Sequence, residues 1–165
     1  MSAVHLRLAT DADLATLSEL RIEFLSEVRG VPPEEFPDRL VSDTRRFFER
    51  TMSSGRILTW LAEDGGGTVG LASVVVHDAP PVPEDPRSHE GFVINLYVRA
   101  GSRGRGTGRR LLDACLGAAG DQDIRRFSLY ATEAGRPLYE RAGFAGHRDW
   151  MVVQVPRGPE AAPHG

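Results

Sequence analysis

Phe92-Val93-Ile94-Asn95-Leu96-Tyr97-Val98, four linking residues, then Arg103-Gly104-Arg105-Gly106-Thr107-Gly108 and Arg109-Arg110-Leu111-Leu112 form the stretch that decides the fold. The first seven residues are apolar on both alternating faces, as in a strand buried at the centre of a sheet. Leu111, Leu112, Cys115, Leu116 and Ala119 recur at helical spacing, so a helix follows. The turn between them is an anion cradle. Its glycines let a ligand approach the backbone, several N–H groups point one way, and the helix N-terminus adds partial positive charge. The dinucleotide pattern G-x-G-x-x-G fails in this register, because Arg109 stands at the third glycine. R-x-x-G-x-G is matched by Arg103, Gly106 and Gly108. In a chain with 18 glycines and 20 arginines that string arises by chance roughly one time in four, so its weight comes from its strand-to-helix setting.

Working outward, Leu6 and Leu8 alternate with polar neighbours as in a short opening strand. Thr10 and Asp13 read as a helix start, and Leu14, Leu17, Leu20, Phe24 and Val28 mark one apolar helical face up to Arg29. Gly30-Val31-Pro32-Pro33 stops it. A second helix carries Leu40, Phe47, Phe48 and Met52. Ile57–Glu63 and Thr68–His77 form a hairpin around Asp64-Gly65-Gly66-Gly67. Pro80, Pro81, Pro83 and Pro86 make the following segment a surface loop. After the cradle helix come a strand over Phe127–Ala131, a short helix over Arg136–Ala142 ended by Gly143, and a last strand over Trp150–Val155. The expected class is α+β, one domain over residues 1–156 with a disordered tail over 157–165.

Composition removes several chemistries. All the basic residues are arginine, so a Walker-A loop, Schiff-base catalysis and Ser-x-x-Lys hydrolysis are excluded. A single cysteine rules out an internal disulfide and a multi-cysteine zinc site. A net charge of −3 gives no footprint for nucleic acid, and no apolar run reaches the length of a membrane span. With no secretory layout at the N-terminus, a cytoplasmic protein is the expectation. His77-Asp78 and His89-Glu90 flank the proline loop, but nothing is spaced to complete a metal site, and no metal is expected.

Two strings then stand together. Asn95-Leu96-Tyr97-Val98 with Gly104-Arg105-Gly106-Thr107-Gly108 resembles the acetyl-CoA-binding motif of the GNAT N-acetyltransferases. Leu138-Tyr139-Glu140-Arg141-Ala142-Gly143-Phe144 is similar to that family's second signature, L-Y-x-x-x-G-F. The resemblance spans about residues 5 to 155. It implies a GNAT fold, with a central mostly antiparallel sheet of about six to seven strands flanked by about four helices. It further implies an N-acetyltransferase that moves acetyl from acetyl-CoA to an amine by direct attack in a ternary complex.

On the same resemblance, backbone groups of Leu96, Tyr97 and Val98 would pair with the pantetheine arm where the fourth and fifth strands splay. Amides from Arg103 through Gly104, Arg105, Gly106, Thr107 and Gly108 to Arg109 would hold the pyrophosphate, with Arg103, Arg105, Arg109 or Arg110 supplying charge. Tyr139 would protonate the departing thiolate, a task suited to a phenol that is neutral at pH 7. Thr132 stands where the family often has a cofactor-touching asparagine, and Ala100 and Thr107 also depart from its usual residues.

The acceptor is a small-molecule or peptide amine of unspecified identity. Phe24, Asn95 and Glu90 are the candidates to touch it, Asn95 because a buried strand asparagine must find hydrogen-bond partners. Arg21, Glu23 and Glu27 could face the same pocket, although a solvated helix face is the plainer reading for each charge. Cys115, at core spacing, is expected to pack rather than carry an acyl group. A homodimer is compatible with such a fold. The alternative function is a GNAT-like module that binds acyl-CoA without turnover. A more distant one reads Ala100-Gly101-Ser102-Arg103-Gly104 as a degenerate nucleophile elbow.

Overall fold

The computed structural model describes residues 3–147 and 149–154. The elements in chain order are β1 (His5–Leu8), α1 (Leu14–Arg29), α2 (Arg39–Ser53), β2 (Ile57–Asp64), β3 (Gly67–Asp78), β4 (His89–Val98), α3 (Thr107–Gly117), β5 (Ile124–Leu129) and α4 (Arg136–Arg141). The strands lie in sequence order in one sheet. β1 to β4 are antiparallel neighbours, and β5 joins β4 in parallel across the α3 connection.

Alternation along β2 and β3 builds two cores, one on each face. Leu61 and Leu71 point to the face covered by α1 and α2, where they meet Leu17, Leu20 and Phe48. Ala62 and Ala72 point to the opposite face, where Leu111 and Cys115 of α3 pack on them. The small alanines let α3 sit close to the sheet. The one polar pair inside β2 and β3, Thr59 and Ser73, is satisfied by a 2.8 Å hydroxyl contact across the register.

Local chemistry sets the element ends. At the start of the first helical segment the Thr10 N–H donates to Asp13 at 2.7 Å, and Gly30 ends α1 in the left-handed region at φ 63. Asp64 accepts from the Gly66 N–H at 2.8 Å to close the β2–β3 turn.

The fold matches the expected class, with two corrections. The sheet has five strands rather than about six to seven, and β5 begins at Ile124, ahead of the expected Phe127. Residues 150–154 pair with no strand, and Met151 and Val153 are 92% and 84% exposed. β-branched composition marks a segment that fits a sheet, but without a paired neighbour it forms no ladder. Val155 and the expected disordered tail lie outside the described residues.

Candidate active site

The site begins where the sheet opens. β5 pairs with β4 only from His89↔Ile124 to Val93↔Leu129. β4 continues through Ile94, Asn95, Leu96, Tyr97 and Val98 with β3 on one side and, among the described residues, no strand on the other. Opposite Ala72 the register gains a residue, because Leu71 pairs with Tyr97 and Ser73 with Ile94. Asn95 absorbs this bulge at φ 57, a conformation that asparagine tolerates better than most residues. Its side chain is buried, and its Oδ1 accepts from Arg21 Nη1 at 2.6 Å.

The glycine-rich turn follows directly. Gly104 and Gly106 both lie at φ 76, and a Cβ at either would meet nothing within 4 Å. The backbone there is left-handed and open to a ligand. α3 starts at Thr107, whose Oγ1 is buried without a hydrogen-bond partner among the described residues. Arg103 is turned inward: its Nε donates to the Val98 carbonyl at 2.7 Å, and its Nη2 reaches Glu27. Arg109 pairs with Asp113, and Arg110 donates to the Val4 carbonyl. Arg105 is exposed and makes no ion pair among the described residues.

Tyr139 lies on α4, half-buried, its ring edge-on to Phe144 with centroids 6.0 Å apart. Burial pushes its phenol above the usual tyrosine range, and the neighbouring Cys115 adds to this. The proton therefore stays on the oxygen at neutral pH. Thr132 Oγ1 accepts from the Gly135 N–H at 3.1 Å and fixes the turn into α4. Cys115 is fully buried, as its spacing implied.

Between α1, α2 and the bulge lies a pocket of about 300 Å³ whose wall includes Arg21, Asp43, Phe47, Ile94 and Asn95. Phe24 joins this wall to the cradle: its ring packs against Tyr97 at 6.0 Å, and Arg21 lies over it. The charges of α1 are not simply a solvated face. Glu23 and Glu19 hold Arg99, and Glu27 holds Arg103. Arg21 points into the pocket. The Leu17-Arg21-Phe24-Val28 spacing placed that arginine on the apolar stripe, and this was the available signal for it.

Glu90 is placed apart from this group, at the start of β4. Arg125 and Arg126 both bind its carboxylate, at 2.8 and 2.9 Å. Burial pushes that carboxyl up, but the Arg126 and Arg125 guanidiniums outweigh it and hold it below the usual carboxylate range. Ser102 is buried in a 3-10 turn, and no described histidine bonds to it, so the elbow reading has no geometry behind it.

Among solved structures, the predicted acetyltransferase of Clostridium acetobutylicum, in its structure with acetyl-CoA, superposes with a TM-score of 0.82 at 25% identity, covering 92% of this chain and 96% of that one. A GCN5-related N-acetyltransferase from Ralstonia eutropha gives 0.76 at 24% identity, covering 93% and 99%. The ribosomal-protein-alanine N-acetyltransferase of Brucella melitensis gives 0.66 at 23% identity, covering 94% and 100%. A comparison with curated proteins finds no match. The acetyltransferase (GNAT) family model matches residues 18–144, a span that takes in most of α1, the bulged strand, the glycine turn and Tyr139. With both strings inside that match, this chain belongs to the GNAT acetyltransferase family.

Proposed function

We propose that this chain is an N-acetyltransferase that transfers acetyl from acetyl-CoA to a primary amine by direct attack in a ternary complex. The observation that carries this reading is the run from unpaired β4 edge, through the Asn95 bulge, to the left-handed Gly104 and Gly106 turn and the start of α3. An extended acyl-pantetheine arm can lie along the free edge as a strand does. Its diphosphate can meet the amides of the turn and the α3 N-terminus. The partnerless Thr107 hydroxyl and the open space over Gly104 and Gly106 fit such an anion. Arg105, on the turn itself and without a carboxylate partner among the described residues, is a cation that can join it.

When bound, acetyl-CoA supplies an acetyl group already activated as a thioester. The chain's part is to position and to move protons. Ile94 and the bulge residue Asn95, where the open edge of β4 begins, line the pocket between α1 and α2, where the amine would sit. Fixing amine and thioester in one site converts a bimolecular encounter into a nearly unimolecular step. As the amine nitrogen bonds to the carbonyl carbon and the C–S bond breaks, the Tyr139 hydroxyl donates its proton to the sulfur, and the surplus proton of the newly acylated nitrogen restores the phenol. Its raised phenol keeps that proton available throughout the neutral range.

The test is release of free thiol from acetyl-CoA with a panel of primary amines, for the wild type and Tyr139→Phe. The expected result is turnover by the wild type and a loss of about a hundredfold in kcat for the variant, with unchanged CoA affinity. Tight CoA binding without thiol release from any amine would instead favour a non-catalytic acyl-CoA-binding module. Failure to bind CoA would overturn both.

A further inference from the structure

Most of the arginines in this molecule have a carboxylate partner or stand in water. Arg7, Arg46, Arg56, Arg87, Arg99 and others pair with Asp or Glu. The described arginines without such a pair, including Arg29, Arg45, Arg50 and Arg105, are exposed, with one exception. Arg21 is partly buried, it lines the pocket, and its only hydrogen-bond acceptor among the described residues is the neutral Asn95 Oδ1. Its Nε–H and Nη2–H groups have no acceptor among the described residues. The Phe24 face, 5.4 Å away, supports the cation without neutralising it.

A guanidinium taken partly out of water with no counter-anion is costly unless a ligand supplies the charge. Burial lowers the Arg21 guanidinium from its ordinary value, and Arg29 adds to this, as expected for a cation short of an anion. The other charge on the pocket wall, Asp43, is already neutralised by Arg46. Phe47 and Ile94 make much of the remaining surface apolar. The pocket therefore holds one positive charge that is unmatched among the described residues, next to the bulge residue Asn95.

We infer that the acceptor is a small amine carrying a carboxylate close to the reacting nitrogen, as in a free amino acid, and that Arg21 binds this carboxylate. The inference rests on the acetyltransferase reading for its orientation, since it assigns the pocket to the acceptor. Arg21 is a specificity residue here. A fork of two N–H donors matches a carboxylate, and the analogue lacking that charge would leave the guanidinium unpaired. A volume of about 300 Å³ suits a molecule of amino-acid size.

The test titrates free amino acids and the matching α-amides into the CoA-bound protein by calorimetry, alongside the thiol-release assay. Wild type, Arg21→Gln and Arg21→Lys are compared. Glutamine ends two bonds short of the Nη1 that reaches Asn95, so a thermal melt checks that each variant keeps its fold. At least one free amino acid is expected to bind the wild type and to bind Arg21→Gln about tenfold to a hundredfold more weakly, with partial recovery in Arg21→Lys. CoA affinity is expected to be the same in all three. Amides binding or reacting as well as the acids would overturn the inference, as would an acid preference that survives in Arg21→Gln. So would turnover of neutral amines with no binding of any amino acid, although the acetyltransferase reading would then stand. Arg21-dependent binding without thiol release would support the pocket assignment and sink the catalytic reading instead.

Discussion

Arg103 reaches from the glycine-rich turn to Glu27 on α1, its Nη2 2.6 Å from the carboxylate oxygen. The same guanidinium donates to the Val98 carbonyl at 2.7 Å and lies over the Tyr97 ring, 5.7 Å from its centroid. One side chain thus ties together the end of β4, the turn and α1. The ion pair itself is nearly half exposed and contributes little. The Val98 bond and the aromatic contact contribute more.

It follows that Arg103 and Arg105 separate by assay. Arg103→Gln is expected to lose about 1–2 kcal/mol of stability in a denaturant titration, because it releases the strand end. Arg105→Ala is expected to stay within about 0.5 kcal/mol of wild type. Its CoA affinity should drop severalfold at low salt, and less at high salt as screening grows. Equal stability losses in the two variants would contradict this division of roles.

Gly70 sets how closely β3 can approach the bulge. It pairs with Val98, and a Cβ there would lie 2.6 Å from the Tyr97 carbonyl oxygen and 3.2 Å from Val98 Cα. Both are backbone atoms and cannot rotate away. Gly70→Ala is expected to cost about 2–3 kcal/mol and to weaken CoA binding by displacing the free edge. Gly101→Ala meets nothing within 4 Å and serves as the control for losing a glycine near the turn. Denaturation midpoints for the two variants check the contrast, and a fully stable Gly70→Ala would refute it.

Acid sensitivity should trace to the network at the start of the chain. Arg7 binds Asp13 and Glu63 together, joining β1, the first turn and β2. The Arg7 guanidinium holds the Asp13 carboxyl at about 2, helped by the Thr10 N–H and opposed by burial. The folded value lies below the unfolded one, so the stabilisation is fully present above about pH 5 and is lost as pH falls from about 4 to 2. Asp13→Asn is expected to be less stable at pH 7 by about 1 kcal/mol, a figure kept low for partial solvent screening. The gap to wild type should close as pH approaches 2. Melting temperatures across that range provide the check, and a gap that stays constant would exclude the Arg7–Asp13 pair as its source.

The sequence made the local parts of the site legible. Gly104 and Gly106 announced a turn whose backbone a ligand can approach, and the 3.6-residue spacing of Leu111 and Cys115 announced α3. Asn95 was recognisable as a strand residue in need of partners. Its partner was not, since Arg21 lies 74 positions away and only the packing of α1 on the sheet brings the two together. The partners of Glu90 were hidden for a related reason. Arg125 and Arg126 reach it only through the parallel β4–β5 pairing, which no string along the chain encodes. The expected strand over 150–155 shows the converse. Strand-forming residues were present, but pairing is a property of the neighbour as well.

Cys115 provides a check on the packing of α3 that is independent of catalysis. Its side chain is fully buried between α3 and the sheet, and burial pushes its thiol up to about 12. The thiolate is the reactive form, so at pH 8 the native protein has almost none of it and no path for reagent to reach the sulfur. An aromatic disulfide reagent is therefore expected to find no fast-reacting thiol in the native state and one after denaturation. Any slow native reaction should follow the opening of α3, and speed up in Gly70→Ala if that variant loosens β3. Prompt native labelling would mean that α3 does not cover the sheet as described. Silence at Cys115 also secures the acetyl-transfer assay, because every fast thiol that then appears must come from CoA.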